Sequence, residues 1–251
     1  MRRFVFCLML AVVIASGIYC MYWYYREEVL PQKQLDKENK EQSELFEHIR
    51  PEFPVPDNAL QITEITENLL ETAEAVNHSV VGWLVIPDTH IDYPICQSDD
   101  NDFYLHNGFD GEYNYELGCP FLDYRCNADF SGFNSIVYAH NMEGRAMFAD
   151  IALYKEETFL NEHNIGYLIL EDSVHTVSFF AYLTVPSTAP AYHTVFMTDS
   201  ERQEYIDYIF DTARYSMLNA VEIHTDLHLI LLSTCTFEYE EARGVLVGVI
   251  N

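Results

Sequence analysis

Three side chains with complementary chemistry stand where apolar runs begin or end. Cys235 closes the run Leu229-Ile230-Leu231-Leu232-Ser233-Thr234. Arg243 opens Gly244-Val245-Leu246-Val247-Gly248-Val249-Ile250, and His140 follows Ser135-Ile136-Val137-Tyr138-Ala139. A thiol, an imidazole and a permanent cation suit nucleophilic acyl transfer. The sulfur attacks a carbonyl, the imidazole moves the proton, and the cation stabilises the oxyanion. Each residue alone is weak: a lone cysteine usually packs as a small hydrophobe, and a lone arginine usually pairs with a surface carboxylate. Position selects them. Cys235 precedes the polar stretch Thr236-Phe237-Glu238-Tyr239-Glu240-Glu241, and His140 precedes the turn Asn141-Met142-Glu143-Gly144. Most other histidines lie in polar stretches, and His228 lies within a strand.

The elements that would hold these groups are mostly strands. Short β-rich runs are expected at 82–87, 91–95, 119–123, 135–139, 166–171, 174–185, 227–234 and 244–250. Asp172-Ser173 turns one hairpin, and Pro94 marks an edge. Helical spacing of Ile62, Ile65, Leu69, Ala73 and Val76 predicts an amphipathic helix over 59–78. A short helix is expected over 146–154. A longer one is expected over 199–217, capped by Thr198, Asp199 or Ser200. Many strands with few helices between them predict a mostly antiparallel barrel or sandwich decorated by helices.

Residues 1–25 read as a cytoplasmic tip and a transmembrane signal anchor. Phe4 to Tyr25 is uncharged and 22 residues long, enough to cross a bilayer, and Tyr19, Tyr22, Trp23, Tyr24 and Tyr25 form an interfacial belt. Arg2 and Arg3 keep the N-terminus cytoplasmic and place the remainder outside. The apolar run outlasts the small residues Ala15-Ser16-Gly17, which favours an uncleaved anchor over a signal peptide. Residues 26–58 read as an extracellular stalk, partly helical from 33 to 49, and 59–251 as the catalytic domain.

Residues 1–50 carry 7 basic and 7 acidic side chains, while residues 51–251 carry 6 and 33, the whole net charge of −27. So acidic a domain repels nucleic acid and anionic lipid. Of six cysteines, Cys7 and Cys20 fall in the apolar run. Cys96, Cys119, Cys126 and Cys235 leave the disulfide connectivity open. Cys119 and Cys126 are near enough in sequence to bridge or to stay free, and Cys235 is read as free because a bridge would silence it. No Cys-x-x-Cys pair suggests structural zinc. Asp99, Asp100 and Asp102 read as a solvated loop, so no metal or cofactor is expected.

From about residue 80 onward the chain resembles the class B sortases, membrane-anchored cysteine transpeptidases of Gram-positive bacteria. The resemblance rests on Gly82-Trp83-Leu84-Val85-Ile86-Pro87 with Ile91-Asp92-Tyr93-Pro94, and on Asp100-Asn101-Asp102-Phe103-Tyr104-Leu105-His106. It rests also on Phe121-Leu122-Asp123-Tyr124-Arg125, on Tyr138-Ala139-His140-Asn141-Met142, and on Leu232-Ser233-Thr234-Cys235 with arginine eight positions later. It implies an eight-stranded sortase-type β-barrel with a long helix between strands six and seven. His140, Cys235 and Arg243 would be catalytic. Ser233, Thr234, Asn101, Leu105 and Tyr192 would bind substrate. The partners would be the C-terminal sorting signal of a secreted surface protein and a peptidoglycan-precursor amine. Two positions depart from the family. Phe237 stands where some members have an acidic residue, and Ala139 stands where glycine is common.

Competing readings are a secreted Cys–His peptidase or amidase that passes the acyl group to water, a pilus-type sortase, and a non-enzymatic adhesin. The Cys–His enzymes usually place cysteine before histidine at a helix N-terminus, and here the order is reversed. Pilus-type enzymes often carry a second membrane helix, whereas this chain ends at Asn251, directly after its last strand.

Overall fold

The computed structural model describes residues 2–53, 63–64, 67–114, 117–142, 145–217 and 224–251. It divides into two compact units, Met1–Glu44 and Leu45–Asn251. In the first, α1 (Arg2–Tyr24) runs through a π-helical turn (Tyr25–Val29) into α2 (Leu30–Ile49). This continuous helix is long and apolar enough to cross a membrane. The last turn of α2 belongs to the second unit. There Phe46 sits edge-on to Trp83, Tyr93 and Phe109, with ring centroids 6.1, 5.8 and 5.8 Å away.

Eight strands build the barrel of the second unit: β1 (Val80–Val85), β2 (Asp92–Cys96), β3 (Phe121–Leu122), β4 (Asn134–Tyr138), β5 (Ile165–Ile169), β6 (Ser173–Pro186), β7 (His228–Cys235) and β8 (Ala242–Ile250). Their lateral order is β6-β8-β7-β4-β3-β2-β1-β5, and β5 pairs back to β6, so the sheet closes into a barrel. The β2–β3 and β4–β7 pairs are parallel and the other barrel pairs antiparallel. Closure removes the free edges that an open sheet would expose. Pro94 pairs with Trp83 on one side, while β2 meets β3 only through Cys96 and Phe121. The missing proline N–H therefore costs no ladder bond.

The apolar runs of β7 and β8 are continuous because both their faces are covered. Leu229 and Leu231 join a cluster with Val245, Val247, Ile206 and Ile209. Ile230, Leu232 and Leu246, which alternate with them, are equally buried. Ile206 and Ile209 come from α6 (Asp199–Thr212), which follows the short α5 (Glu157–Glu162) and lies between β6 and β7 in sequence. Thr198 starts α6 with a capping box: its side chain accepts from Glu201 N–H, and the Glu201 carboxylate accepts from Thr198 N–H.

Several local expectations change. The helix expected over 59–78 is not formed in its described part. Thr63–Glu64 pairs with β6, and only the four-residue α3 (Glu71–Glu74) is helical. Residues 54–62 and 65–66, including Ile62 and Ile65, lie outside the described residues. The helix expected to reach 217 stops at Thr212, because Tyr215–Ser216 is drawn into pairing with Tyr182 and Ala181 of β6. The expected helix over 146–154 is a 3-10 helix, Ala149–Lys155. It is preceded by left-handed residues Arg145 and Met147, with φ of 63° and 55°.

Candidate active site

Strand register brings the three reactive side chains together. β7 and β8 run antiparallel with Cys235 directly opposite Arg243, a placement that puts both side chains on the same face. β4 and β7 run parallel with Tyr138 beside Ser233, and the pairing continues through Ala139 N–H to Ser233 O at 3.2 Å. His140 and Cys235 each lie two residues beyond that matched pair. Alternation along a strand therefore keeps them on the face of Tyr138 and Ser233. Two side chains lock the junction: Thr234 Oγ1 donates to Ala139 O at 2.8 Å, and Asn141 Nδ2 donates to Cys235 O at 2.8 Å.

The strand ends open on a cavity of about 480 Å³. His140, Cys235, Arg243, Ser233, Thr234, Asn101, Leu105 and Tyr192 all line it. Every site residue expected from sequence therefore borders one hollow. Cys235 is partly exposed within it, unlike the buried Cys96 and Cys119.

His140 is fixed from below. Its Nε2 lies 2.8 Å from the carbonyl oxygen of Leu105, within the short helix α4 (Phe103–His106). A carbonyl only accepts, so Nε2 carries the proton and Nδ1 remains for proton exchange. Gly118 packs against the same ring. With φ of +60°, it would place a Cβ 2.7 Å from Tyr104 O and 3.2 Å from His140 Cδ2, so glycine is required there. Arg243 is held by Ala242 O at 3.1 Å and by the Glu241 carboxylate at 3.4 Å.

The cavity wall contains a polar network that sequence reasoning did not assign. Asp123 is fully buried and receives Arg125 through two bonds, Nε at 2.9 Å and Nη2 at 2.7 Å. Asn101 Nδ2 and Tyr138 OH also donate to it, each at 3.0 Å. Burial pushes the Asp123 carboxyl up. The Arg125 guanidinium, the Arg125 backbone N–H and the Asn101 amide outweigh burial, leaving the group below its ordinary range. Arg125 Nη2 reaches Tyr192 O at 3.3 Å, Tyr192 stacks on Tyr138 at 6.0 Å, and the Tyr192 and Ser233 hydroxyls are 2.9 Å apart. Burial pushes the Tyr192 phenol up to about 12. Arg125, Tyr138, Phe121 and Ser187 thus border the cavity without having been expected to. The Asp-x-Arg spacing at 123–125 was the one available signal for the buried ion pair.

Phe237 is 86% exposed and brings no carboxylate to the thiol. Glu238 is engaged elsewhere: its hydrogen bond and ion pair with Lys155 pull it down to about 2.

No family model matches the chain. Sortase B of Listeria monocytogenes is 30% identical over 213 residues, covering 84% of this chain and 85% of its own. The crystal structure of Bacillus anthracis sortase B in complex with AAEK1 superposes with a TM-score of 0.74 at 25% identity, covering 86% of this chain and 98% of that one. A Staphylococcus aureus sortase B–substrate complex shares the fold at 21% identity, with a TM-score of 0.68 and coverage of 90% and 98%. With identity at this level across most of both chains, and the same eight-stranded barrel, the chain belongs to the class B sortases.

Proposed function

We propose that this sortase cleaves the C-terminal sorting signal of secreted surface proteins and passes the acyl group to a peptidoglycan-precursor amine. The observation that carries the reading is the arrangement of Cys235, His140 and Arg243 on three laterally adjacent strands that open on one cavity.

A peptide laid along the cavity presents its scissile carbonyl to the Cys235 thiolate. Attack forms a tetrahedral oxyanion. Arg243 cannot act as an acid because it stays charged, but its fork of donors can hold the oxyanion and the peptide backbone. His140, charged and anchored through Nε2–H on Leu105 O, gives the Nδ1 proton to the departing amine as the C–N bond breaks. A thioester remains. An incoming amine then gives its proton to His140, attacks the thioester carbonyl and releases Cys235. Ser233, Thr234, Asn101, Leu105 and Tyr192 border the space where the peptide would lie. The Staphylococcus aureus sortase B–substrate complex, which shares this barrel, supports a substrate-binding role for a chain of this fold.

The apolar helix supports a single-pass anchor, and the basic pair Arg2 and Arg3 before it supports a cytoplasmic start with the barrel outside. The test is product analysis with the full-length protein and a panel of sorting-signal peptides, with and without an added amine. An amide product that requires both the amine and Cys235 supports transpeptidation. Free acid as the sole product, unchanged by amine, would make the enzyme a peptidase.

A further inference from the structure

The barrel buries a pair of sulfurs that the acyl-transfer reading does not use. Cys96 ends β2, and Cys119 lies two residues before β3. Their Sγ atoms are 4.0 Å apart, and the residues are 0% and 2% exposed. The backbone around them is tied twice, by Cys96 N–H to Pro120 O and Cys119 N–H to Tyr104 O, each at 3.0 Å. Asn77 Nδ2 points at Cys96 Sγ from 3.5 Å. Cys126 is engaged elsewhere, its Sγ 3.4 Å from Asn134 O.

We propose that Cys96 and Cys119 form a disulfide that closes the loop of residues 97–118. Two sulfurs already in contact need to close by about 2 Å to reach a bond of roughly 2.05 Å. The loop so closed carries Asn101, Leu105 and Gly118, so the bridge cinches the base of the segment that borders the cavity and holds His140. In the reaction each thiol loses its proton and the pair gives up two electrons. The acceptor is the disulfide of a thiol oxidoreductase or of a small-molecule disulfide outside the membrane, which leaves as two thiols through a mixed disulfide on one cysteine. Burial in the finished barrel holds the Cys119 thiol protonated, which places the exchange before the strands close. The inference does not depend on the catalytic roles proposed above.

The test is differential alkylation of the full-length exported protein, isolated from membranes without reductant and denatured in the alkylating agent. The expected result is label on Cys7, Cys20, Cys126 and Cys235 and none on Cys96 or Cys119. The peptides that contain Cys96 and Cys119 should be joined, two hydrogens lighter than the sum, and separated by reductant. Thermal unfolding should come roughly 5–10 °C higher before reduction than after, as expected for a loop of this size in a domain of this size. That difference should vanish in Cys119→Ala. Label on both Cys96 and Cys119, or a bridge from Cys119 to Cys126, would overturn the proposal.

Discussion

The side-chain amide of Asn141 donates to the backbone carbonyl of Cys235 across 2.8 Å. The residue that follows the imidazole therefore holds the backbone of the residue that bears the sulfur, although 94 positions separate them. This bond sits at the end of the parallel β4–β7 pair, where strand hydrogen bonding gives way to loop. Removing it frees both termini to shift while leaving the barrel intact. Asn141→Ala should lower kcat by about 5- to 30-fold, the worth of one to two kcal/mol. Thermal stability should hardly change. Asn141→Asp, which cannot donate from its carboxylate, should behave like alanine. Steady-state kinetics beside a melting curve decide it, and a kcat at the wild-type value would remove Asn141 from the positioning of the pair.

Arg243 lies directly across from Cys235, and only its guanidinium presents a planar fork. Arg243→Lys keeps the charge and loses the second donor. Turnover should fall about 10²-fold or more, as when an oxyanion donor is removed. Cys235→Ala should abolish the thioester that mass spectrometry would otherwise trap. Wild-type turnover in Arg243→Lys would exclude a geometric role for the guanidinium.

Asp123 gathers Arg125, Asn101 and Tyr138 on the cavity wall. Asp123→Asn should destabilise by about 1–3 kcal/mol, the cost of orphaning buried polar groups. A fully buried ion pair would lose more, but the Arg125 side chain keeps 39% of its surface in water. The folded carboxyl titrates below its ordinary value of 3.8. Its contribution is therefore complete above about pH 4 and is lost as pH falls through the lower, folded value. Melting temperature followed from pH 6 downward should drop less steeply in Asp123→Asn than in wild type. Parallel profiles would show that the carboxylate is not stabilised by its neighbours.

Gly118 adopts φ of +60° with no room for a Cβ against Tyr104 O. Gly118→Ala should cost about 1–3 kcal/mol in backbone strain. Because the same Cβ would press on His140, activity should fall at temperatures where the fold survives. A variant that melts early yet retains full kcat at low temperature would separate the glycine from the imidazole.

The strands were legible where burial covers both faces. Leu229–Leu232 and Val245–Val249 read as unbroken apolar runs, and their ends marked Cys235 and Arg243. The start of α6 was legible because Thr198 and Glu201 form a local capping pair. The end of α6 was not, because Tyr215–Ser216 answers to β6 rather than to its own neighbours. The spacing of Ile62, Ile65 and Leu69 suggested a helix where Thr63–Glu64 instead adds to the sheet. Asn101, Leu105 and Tyr192 came only through the family resemblance, whereas Cys235, Arg243 and His140 stood at or just beyond strand ends and could be picked out. Their supports could not: the Leu105 carbonyl under His140 is a backbone atom, and the Asp123–Tyr138 bond depends on the pairing of β3 with β4. No property of residues 105 or 123 taken alone announces those contacts.

The β4–β7 pairing also governs when the enzyme acquires its chemistry. Thr234 and Ala139, joined by one hydrogen bond, stand 95 residues apart, and β8 follows only after them. Contacts this distant along the chain form late, because a large loop must close before any of them contributes. A polypeptide synthesised N-terminus first has its imidazole long before its sulfur and guanidinium are added. The three groups meet only once the final strand has docked, so a chain that lacks its last strand holds the thiol and the imidazole without the guanidinium opposite the sulfur.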